Sequence, residues 1–200
     1  LRPVVRVVLN IRFGLRIHGA HLIPRQGGVV FAANHASFID PVVLNVACPR
    51  RITFLARQAL FDVPWLGLVM RGMGTIPVDR RGTEIGIRRA IRLLRAGGAV
   101  VIFPEGGRQL SDQLGAAKPG LGFLACSAQV PIVPVLLSGT REALPPGARR
   151  LKRAKIDVAF GPEIRYPDCR LSPEICERLA QQVTTSWQQL RDSLNDTTTS

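Results

Sequence analysis

The chain has 200 residues, 46% hydrophobic and 20% charged, with a formal net charge of +13 from 27 lysines and arginines against 14 aspartates and glutamates. That balance excludes a disordered chain and suits one globular domain over residues 1–200. The excess positive charge directs it to polyanions, but aromatic residues are only 6% and sit mostly inside apolar runs, so the basic–aromatic interleaving of single-strand readers is absent and nucleic acid is not an expected partner.

No apolar run reaches about 18 residues, the length that marks a membrane span. The four cysteines form no C-x-x-C pair and have no neighbouring histidine. They read as reduced, structural thiols, with no metal site expected.

Taken in order, residues 1–13 place Arg2, Arg6 and Asn10 on a four-residue step beside a Val/Leu/Ile face. This reads equally as a helix lying on anionic lipid or as one packed on the core. Residues 14–18 form a short strand, and His18 and His21 read as surface or loop residues without an acidic neighbour.

Residues 28–33 form an apolar strand that runs into Asn34-His35-Ala36-Ser37-Phe38-Ile39-Asp40-Pro41. Asp is a favoured N-cap and Pro is tolerated at the first helical position, so a helix is predicted over 41–47. His35 then occupies a tight turn that can bring Asp40 back to its ring. Strands follow at 51–56 and 74–78. Between them, residues 61–73 read as a core helix, a membrane-dipping segment or a lid.

A helix over 83–96 sets Ile87, Ala90, Ile91 and Leu94 against Arg88, Arg89, Arg92 and Arg95. The strand at 99–103 ends in Pro104-Glu105-Gly106-Gly107-Arg108. Lys118-Pro119-Gly120 opens a helix over 121–128. Pro134 marks the strand at 132–137 as an edge or a bulge. A strand at 155–160 precedes a last helix, opened by Ser172-Pro173-Glu174, and a disordered polar tail at 195–200. Strands alternating with helices predict an α/β fold: a mixed, largely parallel central sheet flanked by helices.

A neutral imidazole is the usual general base near neutral pH, and a carboxylate on its other nitrogen fixes the tautomer. His35 and Asp40 can supply this arrangement; a structural hydrogen bond explains their spacing equally well. Ser37 lacks the G-x-S-x-G setting of a nucleophile and reads as a turn hydroxyl, so His35 would activate a hydroxyl of the substrate. Arg80, Glu105 and Arg108 also follow apolar strands, and parallel strands would bring all of them to the rim where α/β ligands gather. Arginine suits phosphate, and Gly106 and Gly107 let backbone N–H groups approach an anion. Glu105 would orient Arg108 or bind a substrate hydroxyl. The set suggests a phosphorylated alcohol.

These segments together resemble the glycerolipid acyltransferases. Asn34-His35 with Asp40 matches their N-H-x4-D box. Gly74-Thr75-Ile76-Pro77-Val78-Asp79-Arg80 resembles their second box, Phe103-Pro104-Glu105-Gly106-Gly107-Arg108 their F-P-E-G-T-R-S box, and Val130-Pro131-Ile132-Val133-Pro134-Val135 their V-P-I-V-P box. The four stand in family order, nearest the 1-acylglycerol-3-phosphate branch.

The resemblance implies a glycerol-3-phosphate acyltransferase-like fold and transfer of a fatty acyl group, from acyl-CoA or acyl carrier protein, to the hydroxyl of a lysophospholipid acceptor. No cofactor is implied beyond that co-substrate. His35 would be the base and Asp40 its orienting partner, while Arg80, Glu105, Gly106, Arg108 and Lys118 would bind the acceptor. Gly107 and Gln109 replace the family's usual Thr and Ser. The resemblance also implies an anionic membrane surface at the cytoplasmic face as a partner, an anchoring segment ahead of Leu1, and an acyl groove involving residues 61–73. A non-catalytic membrane-binding protein and a thioesterase-like hydrolase are the competing readings.

Overall fold

A computed structural model describes residues 2–199 apart from 59–60, 63, 79–82, 110, 112, 149 and 167–170, with backbone alone for 57, 64–66, 69, 83 and 198–199. Its sheet has seven strands: β1 (Arg16–His18), β2 (Val29–Ala33), β3 (Ile52–Arg57), β4 (Ile76–Val78), β5 (Ala99–Ile102), β6 (Ile132–Ser138) and β7 (Asp157–Phe160), in the order β1-β7-β6-β2-β5-β3-β4. Strands β2 to β6 pair in parallel, β7 lies antiparallel to β6, and β1 pairs parallel with β7. The helices are α1 (Arg2–Phe13), α2 (Asp40–Ala47), α3 (Pro64–Gly72), α4 (Thr83–Arg95), α5 (Gly120–Ala128), α6 (Thr140–Ala143) and α7 (Pro173–Thr199). The mixed, largely parallel α/β architecture is as expected.

Every residue of β2 is buried, as befits a central parallel strand covered on both faces. Its side chains alternate. Val29, Phe31 and Ala33 join a cluster with Val43 and Leu44 of α2 and Phe13 of α1. Val30 and Ala32 join Leu94 of α4, Leu121 of α5 and Val183 of α7. Burying side chains such as Val29, Val30 and Phe31, all 0% exposed, stabilises the fold by about 1.5–3 kcal/mol each. Trp187 is also fully buried and gives its indole N–H to the Ala32 carbonyl at 3.0 Å.

Several local expectations need correction. Strand β6 is interior, although it contains Pro134. Its last partners on β7 are Val135 and Phe160, and the Pro134 carbonyl accepts from Gly161 N at 2.9 Å. The missing N–H shares that side of the strand, where the ladder ends. The 195–199 stretch continues α7 instead of fraying. No Pro or Gly follows Pro173 to interrupt the helical ladder, and Thr197 Oγ1 donates to Ser193 O at 2.8 Å. Cys126 takes part in a disulfide rather than standing as a reduced thiol.

Helix α1 packs Leu9 and Phe13 into the core and leaves Val4, Val7, Val8 and Ile11 exposed. Arg2 anchors it by donating to the carbonyls of Asn45, Cys48 and Arg50 at the end of α2. No helix among the described residues is long and apolar enough to cross a membrane.

Candidate active site

Parallel pairing carries the C-terminal ends of β2, β3, β4, β5 and β6 to one rim, and His35 sits there, two residues beyond β2. Asn34 locks the strand end in place. Its side-chain amide donates to Leu137 O at 3.0 Å and accepts from Leu137 N at 2.7 Å, mimicking a rung of the β6 ladder.

Asp40 begins α2 but does not cap it forward. Its Oδ2 turns back to accept from Ala36 N and Ser37 N, both at 2.7 Å, and meets His35 Nδ1 at 2.8 Å. An oxygen already accepting two N–H bonds calls for a donor on the ring, which places the imidazole proton on Nδ1 and the lone pair on Nε2. The carboxylate is fully buried, and the His35 side chain is 19% exposed. Ser37 is fully buried, and its hydroxyl donates to Leu144 O at 2.9 Å; it ties the turn to the chain beyond α6 instead of bonding within the turn as expected.

Glu105 lies beside the pair, but its carboxylate is engaged by backbone. Oε2 accepts from His35 N at 2.7 Å and Oε1 from Gly115 N at 3.0 Å. Burial pushes its pKa above the ordinary carboxylate value, while these two amides pull the other way. Gln109 N adds a bond to His35 O at 2.8 Å. The His35 main chain is thus held on both its N–H and its carbonyl, and its ring stacks on Phe103 with centroids 4.2 Å apart.

Arg108 is not oriented by Glu105. Its guanidinium lies 3.5 Å above the centre of the Phe38 ring. Gly106 has φ +79°, and a Cβ added there would fall 2.7 Å from Lys118 Nζ, so Lys118 folds over this turn. Gly106 N is already bonded to Phe103 O at 3.1 Å; of the two glycines, Gly107 retains the amide for an anion among the described residues. Arg80 lies outside the described residues.

His35, Phe38, Phe54, Met70, Phe103 and Arg108 line an apolar cavity of about 500 Å³. The Met70 contact brings α3 into its wall. A polar cavity of about 100 Å³ also reaches His35. The arrangement presents a basic nitrogen, oriented by a carboxylate, to an apolar cavity edged by a guanidinium.

Residues 14–138 match the Acyltransferase family. The chain belongs to that family. It is 28% identical to the 1-acyl-sn-glycerol-3-phosphate acyltransferase of Bacillus subtilis, covering 96% of this chain and 94% of that protein. It is 31% identical to a chloroplastic 1-acyl-sn-glycerol-3-phosphate acyltransferase of Arabidopsis thaliana, over 68% of this chain and 39% of that one. The alpha enzyme of Homo sapiens is 30% identical, over 88% and 65%. The crystal structure of the 1-acyl-sn-glycerophosphate acyltransferase PlsC from Thermotoga maritima superposes with a TM-score of 0.76 at 21% identity, covering 96% of this chain and 78% of that one, and so shares the fold.

The sequence did not single out Asn34 or Phe38 within this candidate site. Asn34 carried a signal as part of the N-H box. Phe38 carried no signal of its own in the sequence; only the fold puts its ring beneath Arg108.

Proposed function

We propose that the protein transfers a fatty acyl group from an acyl thioester to the free hydroxyl of 1-acylglycerol-3-phosphate, giving phosphatidic acid. The observation that carries this reading is the His35–Asp40 pair opening onto an apolar cavity edged by Arg108. The names of the relatives support the choice of acceptor.

In this reading the acceptor hydroxyl approaches His35 Nε2. The imidazole takes its proton as the oxygen attacks the thioester carbonyl, and Asp40 stabilises the imidazolium. The carbon–sulfur bond then breaks, and the thiolate leaves with the proton from the imidazolium. Arg108, Lys118 and the Gly107 amide hold the acceptor phosphate, with Arg80 the further candidate from the second box. The donor is acyl-CoA or acyl carrier protein. The net charge of +13 and the exposed Val4, Val7, Val8 and Ile11 of α1 support a position on an anionic lipid surface, and in this reading that surface is the cytoplasmic face of a membrane.

The test is product analysis of a long-chain acyl thioester incubated with and without lysophosphatidate, beside a panel of other lysophospholipids. Phosphatidic acid formed only with acceptor supports the proposal. Free fatty acid formed equally without acceptor supports the hydrolase reading, and lipid binding without product supports the binder.

A further inference from the structure

The two cavities that meet at His35 differ in chemistry, and the chain passes from one to the other between Arg108 and Gln109. Gly106, Gly107 and Arg108 line the apolar cavity; Gln109 lines the polar one. The replacement of the family's usual Ser by Gln109 therefore bears on the polar cavity rather than on the acceptor's phosphate.

Asn34, His35 and Glu105 line the polar cavity. Its walls include Gln109 and Gln113 on one loop, and Ser138 and Thr140 at the passage from β6 to α6. Thr140 is fully buried, and its Oγ1 has no hydrogen-bond partner among the described residues. A buried hydroxyl left in that state costs about 1–3 kcal/mol, a cost that a ligand in the cavity would relieve once a small shift at the start of α6 uncovers it. Arg141 and Arg191 also line the cavity, matched one for one by Glu142 and Glu105. A phosphate would find little net positive charge here, and a fatty chain would find the apolar surface of Leu114, Leu136 and Leu137 broken up by amides and charges. The ligand that fits is neutral and rich in amides.

We infer that this cavity receives the pantetheine arm of the acyl donor, the neutral segment shared by acyl-CoA and acyl carrier protein. The inference rests on the acyl-transfer reading above. The arm's amides each present one donor and one acceptor, the same complement that the primary amides of Gln109 and Gln113 return. Its sulfur end must lie at the reacting carbonyl, and the cavity reaches His35. The donor then approaches the imidazole from the polar side, while the acceptor's phosphate is held at Arg108.

The experiment measures KM for each substrate in Thr140→Val and Ser138→Leu. The first removes the buried hydroxyl with little change of shape, and the second fills the wall. The donors are acyl-CoA, acyl carrier protein and an acyl thiophenyl ester, which has no amide. The expected result is a rise of about tenfold in KM for the carrier-borne donors, the equivalent of one lost buried hydrogen bond. KM for lysophosphatidate and for the thiophenyl ester should stay unmoved. Thr140→Val should melt no lower than the wild type, because the hydroxyl it removes is unpaired in the free protein.

A rise with one carrier alone supports the site and identifies its source. A rise in KM for lysophosphatidate in place of the donor, or no change for either carrier in an active enzyme, overturns the inference. A wild-type protein that transfers no acyl group from any donor defeats the acyl-transfer reading itself, and this one with it.

Discussion

Two histidine–aspartate pairs of nearly equal length stand in different parts of the molecule: His35–Asp40 at 2.8 Å and His18–Asp157 at 2.7 Å. At the edge of the sheet, Arg16 grips both oxygens of Asp157, each at 2.8 Å, while His18 donates through Nε2. Burial raises the Asp157 pKa, but the bonds from Arg16 and His18 outweigh it, and the net shift is downward. This pair is a clasp that fastens β1 to β7. Asp40 is instead fully buried, and it spends its Oδ2 on two turn amides and the His35 ring. His35 opens onto two cavities at the ends of parallel strands. The distance between the partners is the same; what differs is the guanidinium that satisfies one carboxylate and the cavity that the other histidine faces. A His–Asp hydrogen bond by itself therefore does not locate chemistry.

Matched substitutions test that contrast. The largest effect is expected from Asp40→Asn, which removes the acceptor that fixes the Nδ1 proton and should lower kcat by about 10²–10⁴. Asp157→Asn should leave kcat where it is, as steady-state kinetics of the two variants will show.

Next comes Arg108→Ala, expected to raise KM for lysophosphatidate by about 10- to 100-fold through loss of charge-assisted bonds to phosphate. An acceptor titration measures it.

Glu105→Gln turns an amide N–H toward one of two backbone N–H groups and should cost about 1–3 kcal/mol in denaturant unfolding.

Asp157 should show its role in acid. Its folded pKa is depressed, so its stabilisation is present above the ordinary carboxylate value near 4 and is lost as pH falls through the folded value. The melting-temperature gap between the wild type and Asp157→Asn should narrow below about pH 4. Glu105, with its pKa raised by burial, has the opposite sign, and its burden on stability lifts on acidification.

The smallest effect is expected from Phe38→Leu. Removing the ring under Arg108 gives up about 0.5–1 kcal/mol of cation–π contact. It should raise the acceptor KM a few-fold, with recovery in Phe38→Tyr.

What was legible in the sequence follows from how local each signal is. The strands announced themselves as apolar runs bounded by Gly and Pro, and five of them end at one rim, as the α/β alternation predicts. Pro41 and the short spacing from His35 foretold the returning carboxylate, though not that Asp40 would serve the upstream turn instead of capping α2. The contacts that reach across the chain were not legible. His18 has no acidic neighbour in sequence, yet Asp157 lies 139 positions away and meets it through the β1–β7 pairing. Glu105 looked like a substrate ligand because nothing local reveals that two backbone amides claim it. The four residues of α6 are too few for a periodic signal, so Thr140 went unnoticed.

In the proposed reaction His35, and not His18, is the base. The direct measurement is the turnover of lysophosphatidate and acyl thioester by His35→Ala and His18→Ala, each first checked by circular dichroism for a retained fold. His35→Ala is expected to lose acyl transfer by about 10²-fold or more, while His18→Ala turns over at the wild-type rate. Wild-type turnover by a folded His35→Ala protein would contradict that role.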